Sequence, residues 1–160
     1  MAIAVGEKIP SAKLKTMTAE GPKDISTDEI FNGKKVVLFA VPGAFTPTCH
    51  KNHLPGFVKN SAAIKGKGID TIAVTGVNDV FVMDAWKKAS GGDAIEFLAD
   101  GSGNWAKALG LVADLTERGL GVRSQRYAMV VEDGVVKTLN IEDAPGKAEV
   151  SGADNLLKSL

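Results

Sequence analysis

The stretch KKVVLFAVPGAFTPTCHKNHLPGF, residues 34–57, contains the change from strand to helix that decides the fold. Its first part, residues 34–41, is a short apolar run rich in β-branched residues, which is typical of a strand buried on both faces in a parallel sheet. A second run of this kind is DTIAVTGV, residues 70–77. Between the two runs, apolar side chains recur at helical spacing and predict an amphipathic helix over residues 47–65. Strand, helix and strand together form a βαβ unit.

Strand and helix patterns continue to alternate after this unit. They predict first a helix over residues 80–90, capped by Asn78 or Asp79. A strand over residues 95–100, a short helix over residues 104–110 and a β-hairpin over residues 126–141 follow. The last element is a helix over residues 151–160, capped by Ser151. The hairpin signal is strong because Asp133-Gly134 lies between two runs rich in β-branched residues. We therefore expect a single α/β domain over residues 1–160, with a mixed central sheet flanked by helices.

Length and charge narrow the possible functions. A chain of 160 residues has the size of one compact domain whose core needs no disulfide or metal. Lys and Arg together number 19, as do Asp and Glu, so the field that attracts nucleic acid or anionic lipid is absent and we expect neither partner. A single cysteine, without a signal peptide or an apolar run of bilayer length, predicts a cytoplasmic protein.

That single cysteine, Cys49, lies at a special place in the predicted helix. With Thr46 as the N-cap and Pro47 in the first helical position, Cys49 falls in the first turn, just beyond the carboxyl end of a strand. Free N–H groups and the helix dipole favour a thiolate there, but by only roughly 0.3 to 1 kcal/mol. A thiolate that dominates at neutral pH therefore needs a further positive charge, for which a guanidinium is the obvious candidate.

The residues around the thiol also bear on other thiol chemistries. A phosphatase would have an arginine where Pro55 stands, and a disulfide exchanger would have a second cysteine in place of Thr46. His53, four residues after Cys49, is either the second member of a Cys/His pair, a residue that holds the pocket, or a side chain packed at the helix flank. Two ligands are too few for zinc. We expect His50 to be exposed, and a buried, inert Cys49 is the structural alternative.

Several long motifs resemble a known family. The segment PGAFTPTC, residues 42–49, fits the Pro-x-x-x-Thr-x-x-Cys motif of peroxiredoxins. The segments VNDVFVMDAW, FLADGSG and GLGVRSQRYAMVVEDGVV are similar to the type II, or peroxiredoxin-5-like, subfamily, and the likeness runs over essentially the whole chain. The resemblance implies a thioredoxin-like fold and an antioxidant thiol peroxidase without metal, haem or flavin, that is, without a cofactor.

The resemblance also implies the site residues. Cys49 would be the peroxidatic nucleophile, Pro42 would shield the pocket, Thr46 would hydrogen-bond the thiolate and the peroxide, and Arg126 would supply the missing charge. A surface charge at a strand end is the alternative for Arg126. We expect Arg123 to lie in a loop and to bond backbone or solvent.

One departure from the type II pattern determines how we expect the oxidised cysteine to be reduced. Relatives that resolve the oxidised cysteine internally carry a second cysteine at about the places of Val74 or Ser151, and this chain has none. We therefore expect an external reductant, either glutathione with glutaredoxin or thioredoxin. The family's dimers commonly use elements around the active site, so we expect a homodimer, with Phe81 and Trp86 as either interface or core residues.

Two other function classes remain open at this point. Oxidation or glutathionylation of Cys49 would switch a partner surface in a redox-sensing binding protein. A non-catalytic domain with a buried thiol is the third possibility. The main hypothesis is a peroxidase that reduces hydrogen peroxide and alkyl hydroperoxides through a Cys49 sulfenic acid.

Overall fold

The computed structural model describes residues 1–144 and 146–160. The strands are β1 Lys13–Thr18, β2 Gly21–Ser26, β3 Lys35–Val41, β4 Thr71–Gly76, β5 Glu96–Ala99, β6 Val112–Leu115, β7 Gly121–Ser124, β8 Tyr127–Glu132 and β9 Val135–Ile141. The helices are α1 Thr27–Phe31, α2 Leu54–Lys59, α3 Ser61–Lys65, α4 Val80–Ser90, α5 Asn104–Leu109 and α6 Ala153–Lys158. None of the helices in this part of the chain is both long enough and apolar enough to span a bilayer.

Seven of these strands form one mixed sheet in the order β2-β1-β5-β4-β3-β8-β9, while β6 and β7 pair separately. Strand β3 is parallel to β4 and antiparallel to β8, and β4 is parallel to β5. Alternate residues of β3 enter two different apolar clusters, for example Phe39 in one and Leu38 in the other. Both faces of the sheet are therefore covered, which confirms the predicted architecture and the two buried strands.

The helix predicted over residues 47–65 is two helices. A helical stretch runs from residue 47 to residue 59, and α3 begins only after a break at Asn60, whose ψ is 8°. The Asn60 side chain donates to the Gly56 carbonyl at 2.8 Å, and the Ser61 hydroxyl donates to the Val58 carbonyl at 2.9 Å. These bonds compete with helical backbone pairing and account for the break.

The predicted hairpin is confirmed. Strands β8 and β9 meet at Asp133 and Gly134, whose φ angles of 49° and 78° are those of a type I′ turn. Two further hairpins, β1–β2 and β6–β7, were not predicted from the sequence. Nearly all residues of strands β1 and β2 are exposed or half-buried, and the strands carry too many polar residues for a clear alternation of apolar and polar side chains.

The expected cap of the last helix is wrong. Gly152, not Ser151, is the N-cap of α6. The Ser151 side chain is fully buried and donates to Glu142 instead. The Ser151 hydroxyl therefore points to Glu142, and it accepts no hydrogen bond from the first N–H groups of α6.

Candidate active site

Cys49 lies just beyond the carboxyl end of β3, inside the first turn of the next helix. The His50 N–H donates to the Thr46 carbonyl at 2.8 Å, so in backbone terms Thr46 is the N-cap and the helix begins at Pro47, as predicted. The preceding residue, Phe45, has a φ of 64°, a left-handed conformation that costs a non-glycine residue free energy. Cys49 itself has no exposed surface.

The segment Cys49–His53 is wound as a π-helix. The Leu54 N–H donates to the Cys49 carbonyl, five residues back rather than four. Such π-segments occur preferentially at functional sites. Here the segment directs the side chains of both Cys49 and His53 to the same residue, Arg126.

Arg126, which directly precedes β8, is buried, with 2% of its surface exposed. Its Nη2 donates to the Cys49 Sγ at 3.0 Å, and its Nη1 lies 3.0 Å from the Nδ1 of His53. The planar guanidinium thus spans the two side chains with a fixed fork of donors. The guanidinium expected beside the thiol is therefore present, and its permanent positive charge is in contact with the sulfur.

His53 is neutral, and its hydrogen bonds identify the tautomer. Its Nε2 lies 2.9 Å from the Ser151 carbonyl oxygen, which only accepts, so Nε2 carries the proton and Nδ1 accepts from Arg126. Burial and, to a lesser degree, the charge of Arg126 lower the pKa of His53 to about 3, although the bond to Ser151 acts in the opposite direction. The ring also packs 4.9 Å from that of Phe39.

A buried carboxylate completes the support of the site. Glu142 accepts from the Ser151 N–H at 2.7 Å and from the Ser151 hydroxyl at 2.6 Å. The Glu142 N–H donates to the Arg126 carbonyl at 3.0 Å. The segment before α6 is thereby tied to the backbone of Arg126 and to the ring of His53. Glu142 was not predicted as part of the site, because no local pattern links it to Cys49.

Pro42, Thr46 and Arg126 are among the residues that line a cavity of about 390 Å³. The described lining consists of Pro42, Thr46, Pro47, Thr48, Leu115, Arg118, Leu120, Arg126 and Gly146. The Thr46 hydroxyl donates to the Gly43 carbonyl at 2.7 Å and makes no hydrogen bond with the Cys49 sulfur in this structure. All four predicted site residues therefore gather at this cavity or against a residue that lines it.

Two minor predictions need correction. Arg123 lies in strand β7 rather than in a loop, although it does bond backbone, since its Nε donates to the Leu120 carbonyl at 2.8 Å. His50 is half-buried rather than exposed, and its Nδ1 accepts from the Nε1 of Trp86 at 3.1 Å. Trp86 is fully buried, which makes it a core residue, whereas Phe81 is 65% exposed.

The geometry argues against other chemistry at Cys49. Both ring nitrogens of His53 are engaged by Arg126 and Ser151, so His53 is not placed as the base of a Cys/His hydrolase. Among residues 1–144 and 146–160, no group of three His, Cys, Asp or Glu side chains is arranged to hold a metal ion. A buried thiol in contact with a guanidinium also differs from an inert cysteine in an apolar core.

Comparison with known proteins gives the class. A family model described as Redoxin matches residues 4–157. The chloroplastic peroxiredoxin-2E-2 of Oryza sativa subsp. japonica is 49% identical over 164 residues, which cover 99% of this chain and 72% of the relative. Reduced Prx3 of Vibrio vulnificus, solved in complex with hydrogen peroxide, is 51% identical with a TM-score of 0.94 and 98% coverage of both chains. Peroxiredoxin 5 from Alvinella pompejana is 32% identical with a TM-score of 0.86, over 98% of this chain and 97% of that one.

The chain belongs to the redoxin family and, within it, to the peroxiredoxins, with relatives of type 2 and of the peroxiredoxin 5 kind. It has their thioredoxin-like fold, and it is a thiol-dependent peroxidase. The redox-sensing alternative is not favoured.

Proposed function

We propose that this peroxiredoxin reduces hydrogen peroxide and small alkyl hydroperoxides at Cys49, and that an external thiol then regenerates the cysteine. The observation that carries the proposal is the 3.0 Å contact between the Cys49 sulfur and the guanidinium of Arg126, which also lines a cavity. Residues 1–160 act as a single domain in this proposal.

In the oxidising step, the Cys49 thiolate attacks one peroxide oxygen, the S–O bond forms and the O–O bond breaks. The other oxygen leaves with the bonding electrons and takes up a proton as water or an alcohol, so the cysteine becomes a sulfenic acid. Negative charge moves from the sulfur to the leaving oxygen. The Arg126 guanidinium stabilises this charge because its donors are held in place beforehand.

Thr46 and Pro42 shape the place where the peroxide binds. The Thr46 proton is already donated to the Gly43 carbonyl, so the hydroxyl oxygen is an acceptor for the peroxide O–H. Such a bond orients the peroxide along the line of attack. Pro42 covers the cavity from the strand end and limits the access of water to the thiolate.

The chain contains no second cysteine, so the sulfenic acid is reduced by a thiol from outside. We propose glutathione, with glutaredoxin, or thioredoxin as this reductant. Either thiol pool is maintained in the cytoplasm, which we propose as the compartment.

We also propose a homodimer formed around the active site. Phe45 is 46% exposed and Phe81 is 65% exposed, and the Ala44 N–H donates to the Asn78 side chain at 2.8 Å, which links the two segments that carry them. Exposed aromatic side chains are favoured at interfaces. Replacing Phe81→Asp should give a monomer in light scattering, whereas Val5→Asp, at another exposed apolar residue, should not.

The decisive experiment is stopped-flow reaction of the reduced protein with hydrogen peroxide, combined with mass analysis for one added oxygen. The wild type should react far faster than a free thiol, and Cys49→Ser should have no thiol-dependent turnover. A wild-type rate equal to that of free cysteine would contradict the proposal.

A further inference from the structure

The cavity lined by Arg126, the residue in contact with Cys49, has an excess of positive charge. Its described lining contains two arginines, Arg118 and Arg126, and no acidic residue. Arg126 is committed to the sulfur and to His53. The exposed side chain of Arg118 makes no hydrogen bond or ion pair within the part of the chain that the structure describes. One cation is therefore available to a ligand.

The backbone holds Arg118 at this position. It ends the short 3-10 helix Thr116–Arg118, which connects β6 to β7, and the Gly119 N–H closes the turn on the Thr116 carbonyl at 3.0 Å. Gly119 has a φ of 76°, a conformation that glycine adopts without strain. Pairing of Leu115 with Gly121 fixes the ends of the connection.

Hydrogen peroxide does not need such a cation. It carries no charge, and it is small compared with a cavity of about 390 Å³, which lies in the range typical of sites for larger organic ligands. The walls of the cavity are partly apolar and include Leu115, Leu120, Pro42 and Pro47. The first turn of the helix that begins at Pro47 adds to the positive potential. The lining thus complements a partly aliphatic anion.

We propose that Arg118 forms a carboxylate-binding subsite for a small thiol that carries carboxylates and reduces the oxidised Cys49. This inference rests on the proposed function and names the reductant's class. A thiol must enter in every cycle, whichever peroxide is used, because the chain has no cysteine other than Cys49. Binding of the thiol's carboxylate at Arg118 would hold its sulfur in the cavity that Arg126 also lines, which raises the effective concentration for attack.

The chemistry balances with two thiols. The first thiol attacks the sulfur of the Cys49 sulfenic acid, the S–S bond forms, and the S–O bond breaks to release water. The second thiol attacks the first thiol's sulfur in this mixed disulfide, so Cys49 leaves as a thiolate and an external disulfide is formed. The two thiols are oxidised, and they supply both electrons.

The test measures the rate at which three thiols reduce pre-oxidised protein: glutathione with its carboxylates, neutral mercaptoethanol and cationic cysteamine. The readout is the ratio of the glutathione rate to the mercaptoethanol rate. We expect this ratio to fall on the order of threefold in Arg118→Ala and on the order of tenfold in Arg118→Glu, and to persist in Arg118→Lys. High salt should remove the difference between wild type and Arg118→Ala.

Lys137→Glu is the matched control, because it makes the same charge change at an exposed residue outside the cavity lining. Its ratio should equal that of the wild type. An unchanged ratio in Arg118→Glu, or an equal loss with all three thiols, would overturn the subsite. The subsite would also be overturned if Arg118→Glu slowed only the oxidation of Cys49 by hydroperoxides that carry carboxylates and left its reduction by every thiol unchanged. Oxidation of the wild type by hydrogen peroxide is measured separately, and a slow reaction there would instead contradict the proposed function.

Discussion

Arg126 donates from Nη1 to the Nδ1 of His53 across 3.0 Å, which requires the imidazole to be neutral. A protonated ring would place a second cation against the guanidinium and would lose the acceptor atom. The pKa of His53, about 3, is consistent with this requirement. The orientation of the guanidinium that contacts the Cys49 sulfur therefore depends on a neutral histidine.

The first prediction concerns stability against pH. Since the pKa of His53 falls from 6.5 to about 3 on folding, the unfolded chain binds more protons between these values. The contribution of His53 is fully present above about pH 6.5 and is lost as the pH falls toward 3, with an upper limit of about 5 kcal/mol. Denaturant unfolding at a series of pH values should show this loss, and His53→Asn, which does not titrate, should flatten the curve. Equal slopes in both proteins would contradict the assignment.

The second prediction separates charge from fork geometry at Arg126. Replacing Arg126→Met removes a charge-assisted bond to the sulfur and should slow oxidation by hydrogen peroxide on the order of tenfold to a hundredfold. Arg126→Lys keeps the charge but loses the second donor toward His53. Its oxidation rate should lie between those of the wild type and Arg126→Met. An Arg126→Met protein that reacts as fast as the wild type would show that the contact has no catalytic role.

The third prediction concerns the Thr46 hydroxyl. Thr46→Val keeps the shape of the side chain but removes both the acceptor for the peroxide and the donor to the Gly43 carbonyl. Oxidation should slow on the order of tenfold or more, because the peroxide loses an orienting bond. Thr46→Ser keeps the hydroxyl and should remain close to the wild type. If Thr46→Val reacts as fast as the wild type while Thr46→Ser slows, the methyl group and not the hydroxyl is what matters.

Local patterns were sufficient for the elements that carry the site. Strand β3 is a continuous apolar run, and the turn at Asp133 and Gly134 depends only on neighbouring residues, so both could be predicted from the sequence. The role of Arg126 came from the family resemblance alone. Arg126 lies 77 residues after Cys49 in the sequence, and no spacing rule links residues so far apart.

Two of the errors, at Ser151 and at His50, have a common physical origin, which is a tertiary hydrogen-bond partner. Ser151 has the sequence position of a helix cap, but its hydroxyl is directed to Glu142, to which it donates. His50 was expected to be exposed because helix geometry turns it away from Cys49, yet a buried indole from α4 needed an acceptor there. Neither partner is close in the sequence. The support network of His53, Ser151 and Glu142 was missed for the same reason.

The last prediction uses the two tryptophans as reporters. Trp86 donates to His50, the residue after Cys49, and lies in the apolar cluster that contains Cys49, whereas Trp105 lies in the cluster on the other face of the sheet. Oxidation of Cys49 should therefore change the fluorescence of Trp86 and leave that of Trp105 nearly constant. In stopped flow with hydrogen peroxide, Trp105→Phe should keep the signal and Trp86→Phe should lose it, while mass analysis confirms oxidation in both. A signal that survives in Trp86→Phe and disappears in Trp105→Phe would mean that oxidation is sensed across the sheet rather than through the His50 contact.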